Sequence, residues 1–514
     1  MTVRFTYTSG SLGAELDDEF DAQLSAARSS DRDPAPHLIG GKEVAEGDVF
    51  ERENPADTNE IASRAHTATP AVLERALSAA HDSRDTWRRM PYQQRNARLL
   101  RAAEAISERH VEIAAVASLE TGKTRAESLA EVQEGIDLIE KYCGEMESHK
   151  GFVAPLASFV DSERNTDVLK PYGVFGVISP FNFPFALTIG MTSAALVAGN
   201  TVVLKPSEEA PWSAQLVAEI LGAADLPPGV FNLVQGGPEV GKLLVESRVD
   251  GIAFTGSAQV GREIARRLQD GPYGRPALTE MGGKNPTIVT TNCDIEKAAE
   301  GIARAAFGLS GQKCSACSRA IALGSVYDEL AERIAAFSAS LAVGDPGDRD
   351  AFLGPVINGS SAERHQRSVA MAQEAGGEVL VGGRRLDRDG YYVEPTVVRG
   401  LPVGHELTLH ELFVPFVTLE SADSLDEAID MANAPVYGLT AGIFSDDQGE
   451  VDRFLDKIEA GVVYVNRQAG STTGAWPGTQ TFCGWKSSGS TGKGGLGSWY
   501  VPQFMREQSQ TIVG

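Results

Sequence analysis

Cysteine is scarce in this sequence. Five occur among 514 residues (Cys143, Cys293, Cys314, Cys317 and Cys483), an odd number without scaffold spacing. That excludes a disulfide-stapled fold and fits a reducing compartment. Long apolar runs are missing too: no stretch of about 18 apolar residues occurs, so no membrane span is expected. The opening MTVRFTYTSG lacks a basic region followed by an apolar core, so no secretory leader is expected. Cations are the minority charge, 46 Lys and Arg against 70 Asp and Glu, a net charge of −24. Nucleic acid and anionic membrane both recruit clustered cations, so neither is expected as the main partner. The eight histidines stand in no recognisable partner motif, which disfavours a cysteine hydrolase. There is no internal repeat and no long low-complexity segment. These absences leave a cytoplasmic globular protein.

Apolar residues make up 42% of the chain, enough for a large core, and the length argues for about two to four domains. Residues 1–50 are polar and Pro-punctuated, and read as a peripheral arm, partly helical around Glu19 to Ala27. From Thr69 to Ser148 the apolar spacing is helical: Ala71 to Trp87, Tyr92 to Arg109, and one longer helix after Gly122. At Tyr172 the texture changes. GVFGVIS, TVVLK, GVFNLVQ and GIAFT are short β-branched runs separated by helical stretches at Ala186–Ala198, Ser213–Ala223 and Glu239–Glu246. After Gly282 a second alternation follows, through NPTIV, RAIAL, a helix near Leu330 to Leu341, FVPFVTL, LTAGIFS and GVVYVN. Strands alternating with helices imply parallel sheets with right-handed crossovers, here in two α/β units. The Gly/Ser-rich segment from Gly484 to Gly497 reads either as an ordered loop or as a lid.

The stretch GLSGQKCSACSRA, residues 308–320, concentrates chemistry. Cys314 stands among small residues beside Lys313, a setting in which a thiolate is favoured and a carbonyl approaches closely. Alone the segment has three readings: a nucleophile, a Cys314–Cys317 redox pair or half a zinc site, and inert burial. A redox pair would make Cys317 essential; a single nucleophile would not.

Further motifs narrow the choice. FNFPFA (181–186), TVVLKPSE (201–208), FTGSAQVG (254–261), TEMGGKNP (279–286), GQKCSAC (311–317) and ELFVPF (411–416) resemble, in order, those of the aldehyde dehydrogenase superfamily. The interval from Glu280 to Cys314 is also the one usual there. The resemblance runs from about Asn54 to the end. It implies the fold of that family, with two doubly wound parallel-sheet domains and a protruding oligomerisation hairpin. It assigns residues 51–151 and 172–278 to an NAD-binding domain, 279–485 to a catalytic domain, and 152–171 with 486–514 to oligomerisation, hence a homodimer or homotetramer.

The resemblance also implies roles. Cys314 is the nucleophile, Asn182 an oxyanion donor and Glu280 the base that activates water; the bland alternatives are a packed cysteine, an Asx-turn before Pro184, and a helix or loop glutamate. Lys205 and Glu208 hold the adenine ribose. A carboxylate at 208 accepts from a ribose diol and repels a 2′-phosphate, so the cofactor is NAD. No G-x-G-x-x-G turn joins a strand to a helix in the first alternation; Gly256 and Ser257 instead open a helix whose N-terminus can face pyrophosphate. Glu411 and Phe413 match the nicotinamide-side residues, although the commoner Phe-Gly-Pro is Phe-Val-Pro here, a loss of φ freedom. Ile178, Ser179, Ser207, Gly237, Met281 and Gly282 complete the cofactor set, and no metal is implied.

GQKCSACSRA, GKNP and NRQAGSTTGAW resemble the 1-pyrroline-5-carboxylate dehydrogenases, which oxidise glutamate γ-semialdehyde. In that branch Ser315 and the N–H groups of Gly474 and Ala475 contact the substrate. TQTFCGW departs from the branch at Thr481, Cys483 and Trp485. That leaves open another short polar or aromatic aldehyde, such as succinate semialdehyde or benzaldehyde, or a non-catalytic binding protein on the same fold.

Overall fold

Two seven-stranded sheets organise the chain in the computed structural model, which describes residues 5–7, 13–468 and 475–514. Across the first lie Ala277–Met281, Gly251–Gly256, Val174–Ile178, Thr201–Lys205, Phe231–Leu233, His37–Ile39 and Lys42–Val44. The first five strands are parallel and the last two join antiparallel. Across the second lie Glu378–Val381, Thr396–Arg399, Phe416–Ala422, Cys317–Leu323, Asn285–Val289, Thr440–Phe444 and Val462–Val465, parallel except at the Glu378–Val381 edge. These are the two α/β units read from the alternation of strands and helices, with the sheets that the family resemblance implied.

The helical periods are realised at Pro70–Arg89, Tyr92–Glu108 and Arg125–Ser148. Thr69 caps the first, its hydroxyl accepting the Val72 N–H. Two differences concern the first unit. Residues 1–50 are not wholly an arm: His37–Ile39 pairs with Phe231–Leu233, and buried His37 accepts the Gln235 N–H at 3.1 Å. Three-residue strands carry too little periodicity to be seen in sequence. The boundary at 278/279 falls inside Ala277–Met281, a strand hydrogen-bonded to the first sheet. Glu378–Val381 and Thr396–Arg399 were not among the expected runs.

Helix Ala186–Ala198 is apolar all round, and every residue but Leu187 is buried. It lies against Arg125–Ser148 at close range. A Cβ on Gly190 would stand 2.7 Å from Leu138, and one on Gly135 would stand 3.1 Å from Phe185 and Ile189. That approach sets three acidic residues of the longer helix, Glu131, Glu134 and Asp137, in the interior. Met505–Val513, Glu163–Pro171 and Val153–Leu156 form a separate antiparallel sheet, so the expected hairpin and terminal strand pair with each other. Among the described residues no helix is long and apolar enough to cross a membrane.

Candidate active site

Cys314 follows a strained turn. Leu309, Ser310 and Gly311 take left-handed backbone in succession (φ 49°, 53° and 68°). For the two non-glycine residues this costs about 1 kcal/mol or more each, so surrounding bonds must over-determine it. The Leu309 N–H donates to Glu127 Oε1 at 2.6 Å, the Ser310 hydroxyl to the Gly354 carbonyl at 2.7 Å, and Gln312 Oε1 accepts the Ile357 N–H at 2.9 Å. Asn285 Nδ2 donates to the carbonyls of Cys314 and Ala316 at 2.7 and 2.9 Å. A Cβ on Gly283 would stand 2.6 Å from the Cys314 carbonyl, so glycine lets this clamp close.

Asn182 reaches the same loop from the first unit. Its turn leads into helix Ala186–Ala198, which has no N-cap side chain of its own. Glu131 replaces one: its Oε1 accepts from the N–H groups of Phe185 and Ala186 at 2.8 and 3.1 Å. Its other oxygen pairs with Lys123 in a fully buried ion pair. On this support buried Asn182 donates to the Gln312 carbonyl at 2.9 Å. Its side chain bridges two units and makes no local Asx-turn.

In front of the loop is a cavity of about 860 Å³, its mouth included, lined by Cys314, Ser315, Glu280 and Ala475. Gly474 lies outside the described residues. Glu280 sits at the carboxyl end of Ala277–Met281, on a strand and not on a helix or loop. Its Oε1 accepts the Gly495 N–H at 2.7 Å. The glycine-rich segment is thus an ordered support for this carboxylate. Burial pushes Glu280 up to about 7, the Gly495 N–H opposing. Burial, then the charges of Glu411 and Glu280, hold the Cys314 thiol far above its ordinary range; the N–H groups of Ser315 and Cys314 work the other way. Lys313 is not the activating cation suggested by its position. Its ammonium pairs with Glu127 at 3.2 Å. Cys317 is buried at the start of a core strand, 3.2 Å from Thr287 Oγ1, and does not line the cavity. Among the described residues no cluster of three or more His, Cys, Asp or Glu is placed for a metal ion.

The residues expected to hold the cofactor fall into two groups. Ile178 and Lys205 end neighbouring parallel strands, and Lys205 Nζ lies 3.3 Å from Glu208. Ser207 follows in the same turn, its hydroxyl accepting the Glu209 N–H at 3.2 Å. Ser257 caps helix Ala258–Gln269, and Gly237 caps Pro238–Glu246 with no atom within 4 Å of a would-be Cβ. Glu411 accepts the Gly283 N–H at 2.9 Å, and a Cβ on Gly282 would collide with its carboxylate. Phe413 packs edge-on to Phe181 at 5.9 Å. Two members turn inward. The Ser179 hydroxyl is buried and accepts from Thr188 at 2.7 Å, while the Met281 side chain is buried against Gly261. Val414 brings no strain, because the positive φ falls on Phe413 (56°) and Val414 packs in the core. Cys483 likewise has no positive φ, and its thiol donates to the Gly461 carbonyl at 3.2 Å.

A model of the aldehyde dehydrogenase family matches residues 43–509. The chain belongs to the aldehyde dehydrogenase family. It is 36% identical over 497 residues to a 1-pyrroline-5-carboxylate dehydrogenase of Staphylococcus haemolyticus, covering 96% of this chain and 95% of that one. A solved 1-pyrroline-5-carboxylate dehydrogenase from Thermus with bound NAD matches with a TM-score of 0.94 at 32% identity, over 100% of both chains. Proline utilization A from Bdellovibrio bacteriovorus matches with a TM-score of 0.93 at 32% identity. The whole of this chain spans 54% of that longer protein.

For an aldehyde dehydrogenase chain the departing residues Thr481, Cys483 and Trp485 matter less than their sequence suggests. None lines the cavity, whereas Phe482 between them does. Sequence reasoning missed Asn285 and Glu131, which hold the Cys314 and Asn182 loops, and Glu134, Phe183 and Tyr7, which line the cavity. The available signal was the acidic residues on a helix whose neighbours are apolar. In sequence they look like a solvated face.

Proposed function

We propose that the protein oxidises L-glutamate γ-semialdehyde, the open form of 1-pyrroline-5-carboxylate, to glutamate with NAD, as a step of proline degradation. The observation that carries this reading is one cavity lined by Cys314, Glu280, Ser315 and Ala475, with Glu134 beside them. A thiol and a base for the aldehyde end stand there together with polar groups for an amino-acid end. The names of the relatives point the same way. The crevice chemistry fits NAD: a lysine–carboxylate pair suits ribose hydroxyls and the N-terminus of Ala258–Gln269 suits pyrophosphate. Lys205, Glu208, Gly256, Ser257, Glu411 and Phe413 would hold it.

Cys314, once deprotonated, attacks the aldehyde carbon. The new oxyanion is met by the Cys314 N–H and by Asn182, whose bond to Gln312 uses one of two amide hydrogens. NAD supplies the acceptor for the hydride whose loss converts the thiohemiacetal to a thioester. Glu280 then takes a proton from water, the hydroxide attacks the thioester, and the Cys314 thiolate leaves as the carboxylate product forms. The domain limits given above, with the nucleotide on the first unit and the thiol on the second, are part of this proposal. So is a homodimer or homotetramer built on the small antiparallel sheet. Val153, Leu156, Phe159, Ile512 and Val513 are exposed there, an apolar surface suited to a second copy. Five free cysteines suit the cytoplasm.

An aromatic aldehyde is a second reading, favoured by cavity walls such as Leu138, Phe183, Leu187, Met191, Phe482 and Leu496. Steady-state kinetics with glutamate γ-semialdehyde, succinate semialdehyde and benzaldehyde decide between them. The expected kcat/KM for the first exceeds both others by about 100-fold, as a site with paired polar groups rejects substrates that leave them unpaired. A higher value with benzaldehyde would overturn the substrate while leaving the chemistry in place. Glu208→Gln is expected to raise KM for NAD about tenfold through one lost charge-assisted bond, and to improve use of NADP. Equal wild-type rates with NAD and NADP would contradict the role given to Glu208.

A further inference from the structure

One wall of the cavity comes from the N-terminal arm. Tyr7 stands 127 residues from Glu134 in sequence, yet its hydroxyl donates to Glu134 Oε2 at 2.6 Å. The ring is held edge-on by Phe183 (centroids 6.0 Å apart, 80°) and by Trp476 (5.6 Å, 71°). Lys313 Nζ lies 5.8 Å over it. Tyr7, Glu134, Phe183 and Lys313 line the same cavity as Cys314.

Glu134 is buried and, among the described residues, pairs with no side-chain cation. The two nearby ammonium groups are committed elsewhere, Lys123 to Glu131 and Lys313 to Glu127. A buried carboxylate facing a substrate cavity without a cation is a seat for a cationic group on the ligand. We propose that Tyr7 is a positioning residue for substrate selection: its hydroxyl holds Glu134 aimed into the cavity as the seat for the α-ammonium group of the aldehyde. This rests on the substrate reading above.

The groups facing Glu134 explain why a donor is needed. Asp137 and Glu131 on its own helix repel its charge, Lys123 attracts it, and Glu127, Lys313 and Glu280 stand around the same space. Burial pushes Glu134 up to about 7, with the Tyr7 bond and Lys123 opposing. Tyr7 remains a donor throughout, since burial and the carboxylates of Glu134, Glu131 and Glu127 push its own ionisation well up. Trp476 is anchored in turn, its Nε1 donating to Asp137 at 2.6 Å. The arm therefore reads out, through one phenol, whether the substrate carries an amine.

Tyr7→Phe keeps the ring between Phe183 and Trp476 and removes only the donor. The probes are glutamate γ-semialdehyde and glutarate semialdehyde, the same chain without the amine. The ratio of their KM values, deaminated over aminated, is expected to fall about tenfold in Tyr7→Phe, the size of one lost bond to a charged group. The fall is carried by KM for the aminated substrate. It is largest just above pH 7, where Glu134 is ionised in the wild type and protonated in the variant. It shrinks below pH 7, where Glu134 is protonated in both. Glu134→Gln collapses the ratio by itself, and Tyr7→Phe added to it brings no further fall, because the phenol acts through that carboxylate. A wild-type ratio in Tyr7→Phe, or a full additional fall in the double variant, overturns the role of Tyr7. A wild type that does not distinguish the two aldehydes overturns the substrate reading, and this inference with it.

Discussion

Cys314→Ala is expected to abolish NADH formation with every aldehyde, a loss of about four orders of magnitude or more in kcat/KM, as for other enzymes stripped of their nucleophile. The size follows from the way the reaction is divided. Without a carbon–sulfur bond there is no thiohemiacetal from which hydride can depart, and no thioester for water to attack. Nothing nearby substitutes. Cys317 is buried outside the cavity, and among the described residues the cavity wall holds no histidine base for the Ser315 hydroxyl. NADH absorbance measures the loss, and NAD binding followed by fluorescence verifies that the variant still holds cofactor. Residual activity above a hundredth of wild type would remove Cys314 from the central role. The resting thiol, held up by burial and by Glu411 and Glu280, also predicts slow alkylation by iodoacetamide in the absence of cofactor.

Glu280→Gln is expected to separate the two halves of the reaction. Acylation persists, so mixing with aldehyde and NAD produces an initial burst of NADH. Steady turnover then falls by roughly 10²–10⁴, the usual contribution of a positioned general base. Stopped-flow absorbance resolves the two phases, and unaltered steady-state turnover would exclude Glu280 as the base. The pH dependence carries a sign. The working form is the carboxylate, and burial places its titration at about 7. Deacylation therefore rises as pH climbs through 7 and levels off above it. Glutamine has no titration, so the variant loses that limb.

The elements legible in sequence are those written by adjacent residues. Ala186–Ala198 is a helix in both readings because it is apolar all round, and TVVLK is a buried parallel strand that opens on three β-branched residues. Cys314, Asn182 and Glu280 were legible because each stands in a short motif, and the latter two follow or end a strand of the first sheet. Less legible were the strands His37–Ile39 and Glu378–Val381, too short for a period to declare itself. Glu131 and Glu134 were missed because helical spacing shows which residues share a face but not what covers that face. Here Gly135 and Gly190 let a second helix approach and bury them.

The sequence by itself determined the α/β class and the order of the two units, since local spacing and turn chemistry suffice for these, and its motifs pointed to Cys314, Glu280 and Asn182 through their resemblance to a family. Only the tertiary structure decided that Lys313 serves Glu127 instead of Cys314, that Gly495 holds Glu280, and that Tyr7 and Glu134 meet at the aldehyde pocket. Those contacts join residues more than a hundred positions apart. The charge state of each group depends on how much water its neighbours exclude, which no run of adjacent residues encodes.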